Sequence, residues 1–75
     1  MMTRPIRVGD TVRIPEEHYE WGTGDLTVRV TAFEADQDAG PAWVRVRGVE
    51  IDRDGAERRE RVVLARRSGM RRVPP

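Results

Sequence analysis

Polar and apolar residues alternate with a period of two along this chain, and no helical spacing of threes and fours replaces that pattern anywhere. Residues 26–31 read Leu26, Thr27, Val28, Arg29, Val30, Thr31 without a fault, the pattern of a strand with one face in a core. Thr11, Val12, Arg13 and Ile14 alternate in the same way after the turn pair Gly9-Asp10, which can begin a strand. Ala32 and Phe33 then break the alternation, and residues 36–41 read as an exposed turn. A third strand is expected over 43–51, with Val44 and Val46 on one face and Arg45 and Arg47 on the other. The apolar phase slips by one at Gly48, towards Val49 and Ile51, which predicts a bulge or bend at the glycine. Asp52-Arg53-Asp54-Gly55 has the residues of a hairpin tip. A fourth strand follows over 58–66, with Val62 and Leu64 inward and Val63 outward. Met70, Arg71, Arg72 and Val73 form a short fifth strand after a turn at Arg67-Ser68-Gly69, and Pro74 and Pro75 stop further pairing.

Five short strands in 75 residues fit one small all-β domain, a single SH3-like barrel of about five antiparallel strands. Its expected bounds are 6–73, with 1–5 and 74–75 as flexible termini. Two features favour this barrel over an OB-fold. One is the long irregular excursion over 15–24, between the first two strands. The other is the compact hairpins after it, with no room for a helix between the third and fourth strands.

The string Val8-Gly9-Asp10-Thr11-Val12-Arg13-Ile14 resembles the opening of many small bacterial SH3-like barrels. Tyr19-x-Trp21-Gly22-x-Gly24-Asp25-Leu26-Thr27 and the segment from Trp43 to Glu50 are similar to those of short proteins of high-GC Gram-positive bacteria. The resemblance spans most of the chain and implies the barrel fold; it implies no activity. The tyrosine-rich first-strand motif of eukaryotic SH3 domains is missing here.

Composition removes several kinds of chemistry. All fourteen basic residues are arginine, and lysine and cysteine are absent, so there is no Schiff-base lysine, Walker-type lysine, disulfide or thiolate metal site. A serine triad would have to use Ser68 and His18, yet Ser68 sits in a turn that serine ordinarily forms. His18 is the single histidine, a poor metal ligand without a second imidazole. Gly22-Thr23-Gly24 precedes a strand, where a phosphate loop needs a helix. The expectation is a non-catalytic chain with no cofactor and no metal. No stretch reaches the ~18 apolar residues of a membrane span, and no signal-type start is present, so a cytoplasmic location is expected.

Two surfaces remain as binding candidates. The first is acidic and aromatic: Glu16, Glu17, Tyr19, Glu20 and Trp21 lie within six residues, and Trp43 begins the third strand beside them. Rings edged by carboxylates can grip a polyproline segment and select its arginine, or cage another cationic ligand. The alternative is that Tyr19 or Trp21 folds back to cap the core, since the chain has only four aromatics. This surface makes a binding or adaptor module for a protein or peptide the leading reading.

The second surface is basic. With Val62 and Leu64 inward, Arg29, Arg45, Arg47 and Arg61 gather on the outer sheet face in phase with Trp43, a footprint for the phosphate backbone of a nucleic acid. The net charge of +1 hides a split. Up to Asp38 there are four arginines against eight acids, a balance of −4; from Ala39 there are ten against five, a balance of +5. The tail Arg71-Arg72-Val73-Pro74-Pro75 has the character of an arginine-proline ligand for an acidic-aromatic cleft, on its own chain or on a second copy. An open strand edge and outward Val63 would also permit a homodimer.

Overall fold

The computed structural model describes residues 5–74. Of the flexible ends expected at 1–5 and 74–75, residues 1–4 and 75 lie outside the described residues. Five strands, β1 (Thr11–Ile14), β2 (Leu26–Ala35), β3 (Trp43–Ile51), β4 (Glu57–Arg66) and β5 (Arg71–Arg72), form one antiparallel sheet in the order β4-β3-β2-β1-β5. Among the described residues the remaining regular structure is two single 3-10 turns, Glu16–His18 and Arg67–Gly69. Among the described residues no helix is long and apolar enough to cross a membrane.

β2 and β4 are both bulged. Val30 pairs with Gly48 and Ala32 with Arg47, so Thr31 is the extra residue on β2. Its hydroxyl donates to the Arg47 carbonyl at 3.2 Å. A bulge increases the local twist without ending the strand, so β2 runs on to Ala35 past the broken alternation at Ala32 and Phe33. Phe33 then points inward and packs against the core. Further along, Arg58 and Arg59 lie opposite the single Glu50, the second bulge. Val49 and Ile51 are only half-buried.

The slip expected at Gly48 therefore lies in its neighbour. β3 keeps one phase through Val44, Val46 and Gly48, all buried. Gly48 is needed because β2 comes too close for a side chain: a Cβ there would collide with the Arg29 carbonyl oxygen and sit 2.7 Å from Val28 Cγ2.

The register also reverses the expected faces of β4. Val46 pairs with Val63 and Val44 with Ala65, and residues directly opposite in an antiparallel pair project to the same side. Val63 and Ala65 are therefore core, while Val62, at 49% exposure, points out. Val62 and Leu64 instead face Arg47 and Arg45 across the outer surface, where arginine stems can cover their apolar carbons.

The core is Val12, Ile14, Tyr19, Leu26, Val28, Val30, Val44, Val46, Val63 and Ala65, with Ile6, Phe33 and Met70 packed against it. One contact joins distant parts of the sheet. The excursion after β1 crosses to β4, where Tyr19 forms an isolated bridge with Ala65 and the Glu20 N–H donates to the Leu64 carbonyl at 2.9 Å. The small Ala65 side chain suits the place where another backbone crosses. At the far edge the Val73 N–H extends the β1–β5 pairing by donating to the Thr11 carbonyl at 2.8 Å. Residues 71–73 are thus placed beside β1 and not on the acidic-aromatic loop, and Pro75 lies outside the described residues.

Candidate partner-binding surface

The excursion over 15–24 has little regular structure but many fixed points. Asp25 holds both of its ends, accepting from the Glu16 N–H at 3.1 Å and from Arg13 Nη2 at 2.7 Å. The His18 N–H donates to the Pro15 carbonyl at 2.9 Å, closing the 3-10 turn. Tyr19 turns inward, and its hydroxyl donates to the Gly24 carbonyl at 2.6 Å while accepting from the Thr23 N–H at 3.4 Å. Gly22 lies so close to the carbonyl of Glu16 that a Cβ would collide with it. The ring of His18 packs on Gly69, joining the loop to the Arg67–Gly69 turn.

These restraints separate the two rings. Tyr19 is 7% exposed and belongs to the core, the capping arrangement that the sequence leaves open. Trp21 is 87% exposed. It is also the one non-glycine residue at positive φ among the described residues, at +63°. That conformation costs an L-residue about 1–2 kcal/mol, and such strain clusters at functional positions. Its cause here is local: the chain must reverse between the Glu20–Leu64 hydrogen bond and the tight approach of Gly22 to Glu16. Glu16, Glu17 and Glu20 are all exposed around the turn.

Trp43 lies elsewhere, with β4 between it and the loop. It pairs across strands with Arg66, whose guanidinium carbon is 4.8 Å from the ring centroid. The indole is half-buried and one face already carries a cation. Arg66 did not emerge from the sequence as part of this site; only the correct β3–β4 register identifies it. Asp25 was missed as well, although its position just after Gly24 marks the end of the loop that it clamps.

The basic set is divided. Arg45 donates to Asp36 at 2.8 Å, Arg61 donates to Glu50 at 2.9 Å, and Arg29 is paired with Glu57. Arg61 lies opposite Gly48 and so takes the inner phase, at the end of the core, apart from Arg45 and Arg47. Its placement follows from the reversed faces of β4. Arg47 is the one member without an ion pair among the described residues.

Two carboxyls are held below the usual carboxylate range. For Asp25 the main cause is the Arg13 hydrogen bond, followed by the Glu16 N–H. For Asp36 it is the Ala39 N–H, opposed by partial covering and helped by Arg45 and the Asp38 N–H. Both carboxyls brace turns. Among the described residues no three histidine, aspartate or glutamate side chains come together as a metal site. No protein-family model, curated protein or solved structure matches the chain.

Proposed function

We propose that this chain is a small non-catalytic binding module that presents Trp21 to a protein or peptide partner. The observation that carries this reading is an indole 87% exposed on a strained, clamped turn. A rigid aromatic loses little conformational freedom on binding, which is why tryptophan anchors so many interfaces. Glu16, Glu17 and Glu20 surround it with negative charge, so the partner segment is apolar with arginine or lysine beside it. An arginine-bearing polyproline segment has that character. Trp43, already stacked with Arg66, contributes at the margin. The sheet order, with Tyr19 returning to β4, supports reading the domain as a small SH3-like barrel.

The test is an arrayed library of short peptides, half basic and apolar and half acidic, probed with the full chain and with Trp21→Ala. Basic, apolar peptides are expected to bind, with at least a tenfold loss in the variant, equivalent to about 1.4 kcal/mol. The far-UV spectrum and melting temperature should not change, because Trp21 makes no core contact. Equal binding by both proteins would overturn the reading.

A further inference from the structure

The Arg67–Gly69 turn has the acidic loop on one side, through the contact of Gly69 with His18. On its other side a groove opens between the residues before β1 and those around β5. Ile6, Phe33 and Met70, half-buried against the core, make its apolar floor. Val73 continues the apolar lining, and Arg67 and Arg71 stand on the rim with the Arg72–Asp10 ion pair beside them. Both arginines are exposed, and neither makes an ion pair among the described residues. An apolar floor with a cationic rim fits a large apolar side chain flanked by carboxylates. This chain displays one such group, Trp21 with Glu16, Glu17 and Glu20.

We infer that the groove receives the Trp21 loop of a second copy of this chain. The inference rests on the reading of that loop as a binding element, and it names the partner. Loop and groove flank the same turn, so a two-fold axis beside Arg67–Gly69 closes a pair with two identical contacts. Each buried indole covers about 150–250 Å². Two of them fall well short of the ~1,200 Å² at which standard interfaces begin, so the pair is weak and reversible. Because its charges lie at the rim, salt weakens it.

Sedimentation equilibrium of the full chain tests this from about 10 μM to about 1 mM, the range expected for a small interface. The wild type should show a monomer–dimer equilibrium that weakens as salt rises. Trp21→Ala and the double variant Arg67→Glu/Arg71→Glu should each weaken it at least tenfold while keeping the native far-UV spectrum. An equimolar mixture of the two variants retains one intact loop-groove contact and should pair where neither does alone. A dimer that survives in both variants, or a mixture that fails to recombine, would overturn the inference. So would a monomeric wild type, including one that dimerises only when residues 1–4 are removed, since those residues would then be the groove's occupant. A monomeric wild type that still captures basic peptides through Trp21 overturns self-pairing alone. If Trp21→Ala changes neither pairing nor capture, the functional reading falls as well.

Discussion

The Tyr19 hydroxyl donates to the Gly24 carbonyl at 2.6 Å, spanning the turn that carries Trp21. The same oxygen accepts from the Thr23 N–H, so one phenol fixes both sides of the reversal. Its ring lies in the core and its backbone bridges Ala65. Exposure of Trp21 and burial of Tyr19 are thus parts of one arrangement: the inward ring positions the outward one.

Replacing Tyr19 by phenylalanine keeps the ring and removes both hydrogen bonds. A net cost of about 1–2 kcal/mol is expected, since the Gly24 carbonyl loses its donor. Tm should fall by roughly 4–8 °C for each kcal/mol in a domain of this size. Amide hydrogen exchange should quicken at Thr23 while β3 stays protected. Unchanged exchange at Thr23 would show that the phenol does not hold the turn.

Gly48→Ala tests the bulge in β2. The added methyl meets the Arg29 carbonyl and Val28 Cγ2, and neither can move without disturbing the β2–β3 ladder. Overpacking of this kind costs about 1–3 kcal/mol, read as a lower urea midpoint. The same substitution should leave the Trp21 loop intact, because Gly48 lies far along β3 from the Tyr19–Ala65 bridge. A variant as stable as the wild type would mean that β2 and β3 sit further apart.

Much of this fold can be read in the alternation itself. Thr11–Ile14 and Trp43–Ile51 stand where the period of two puts them, because each strand keeps one phase throughout. The errors gather where a bulge shifts the partner strand. Gly48 signals a close approach, but sequence does not say which strand supplies the extra residue. The size of Leu64 draws it inward on paper, whereas the pairing of Ala65 with Val44 and its bridge to Tyr19 put the smaller side chain in the core. Arg61 changes sides with it. In the acidic-aromatic segment the residues were identifiable, but the split between Tyr19 and Trp21 depends on long-range contacts with β4.

The stacking of Arg66 on Trp43 should be measurable apart from charge. Arg66→Lys retains the cation but loses the planar group that lies on the ring. A loss of about 0.5–1 kcal/mol is expected for a pair at the surface, with a change in the near-UV signal of Trp43. Arg66→Ala should cost no less than Arg66→Lys. An unaltered near-UV spectrum in Arg66→Ala would place the guanidinium away from the indole.

Acid should loosen the two braced turns first. Asp25 and Asp36 titrate below the ordinary value of 3.8, so between their folded and unfolded values the unfolded chain binds more protons. Their stabilising contribution is then fully present above that ordinary value and is lost as pH falls through the lower, folded values. The urea midpoint is expected to be level from about pH 7 to about pH 5 and to drop steadily below about pH 4. Asp25→Asn keeps an acceptor for the Glu16 N–H but removes the charge that holds Arg13, so its midpoint should be lower at neutral pH and flatter in acid. Because Asp25 also closes the base of the Trp21 loop, capture of basic peptides should weaken over the same acid range. An acid limb equally steep in Asp25→Asn and in the wild type would assign the transition to other carboxyls.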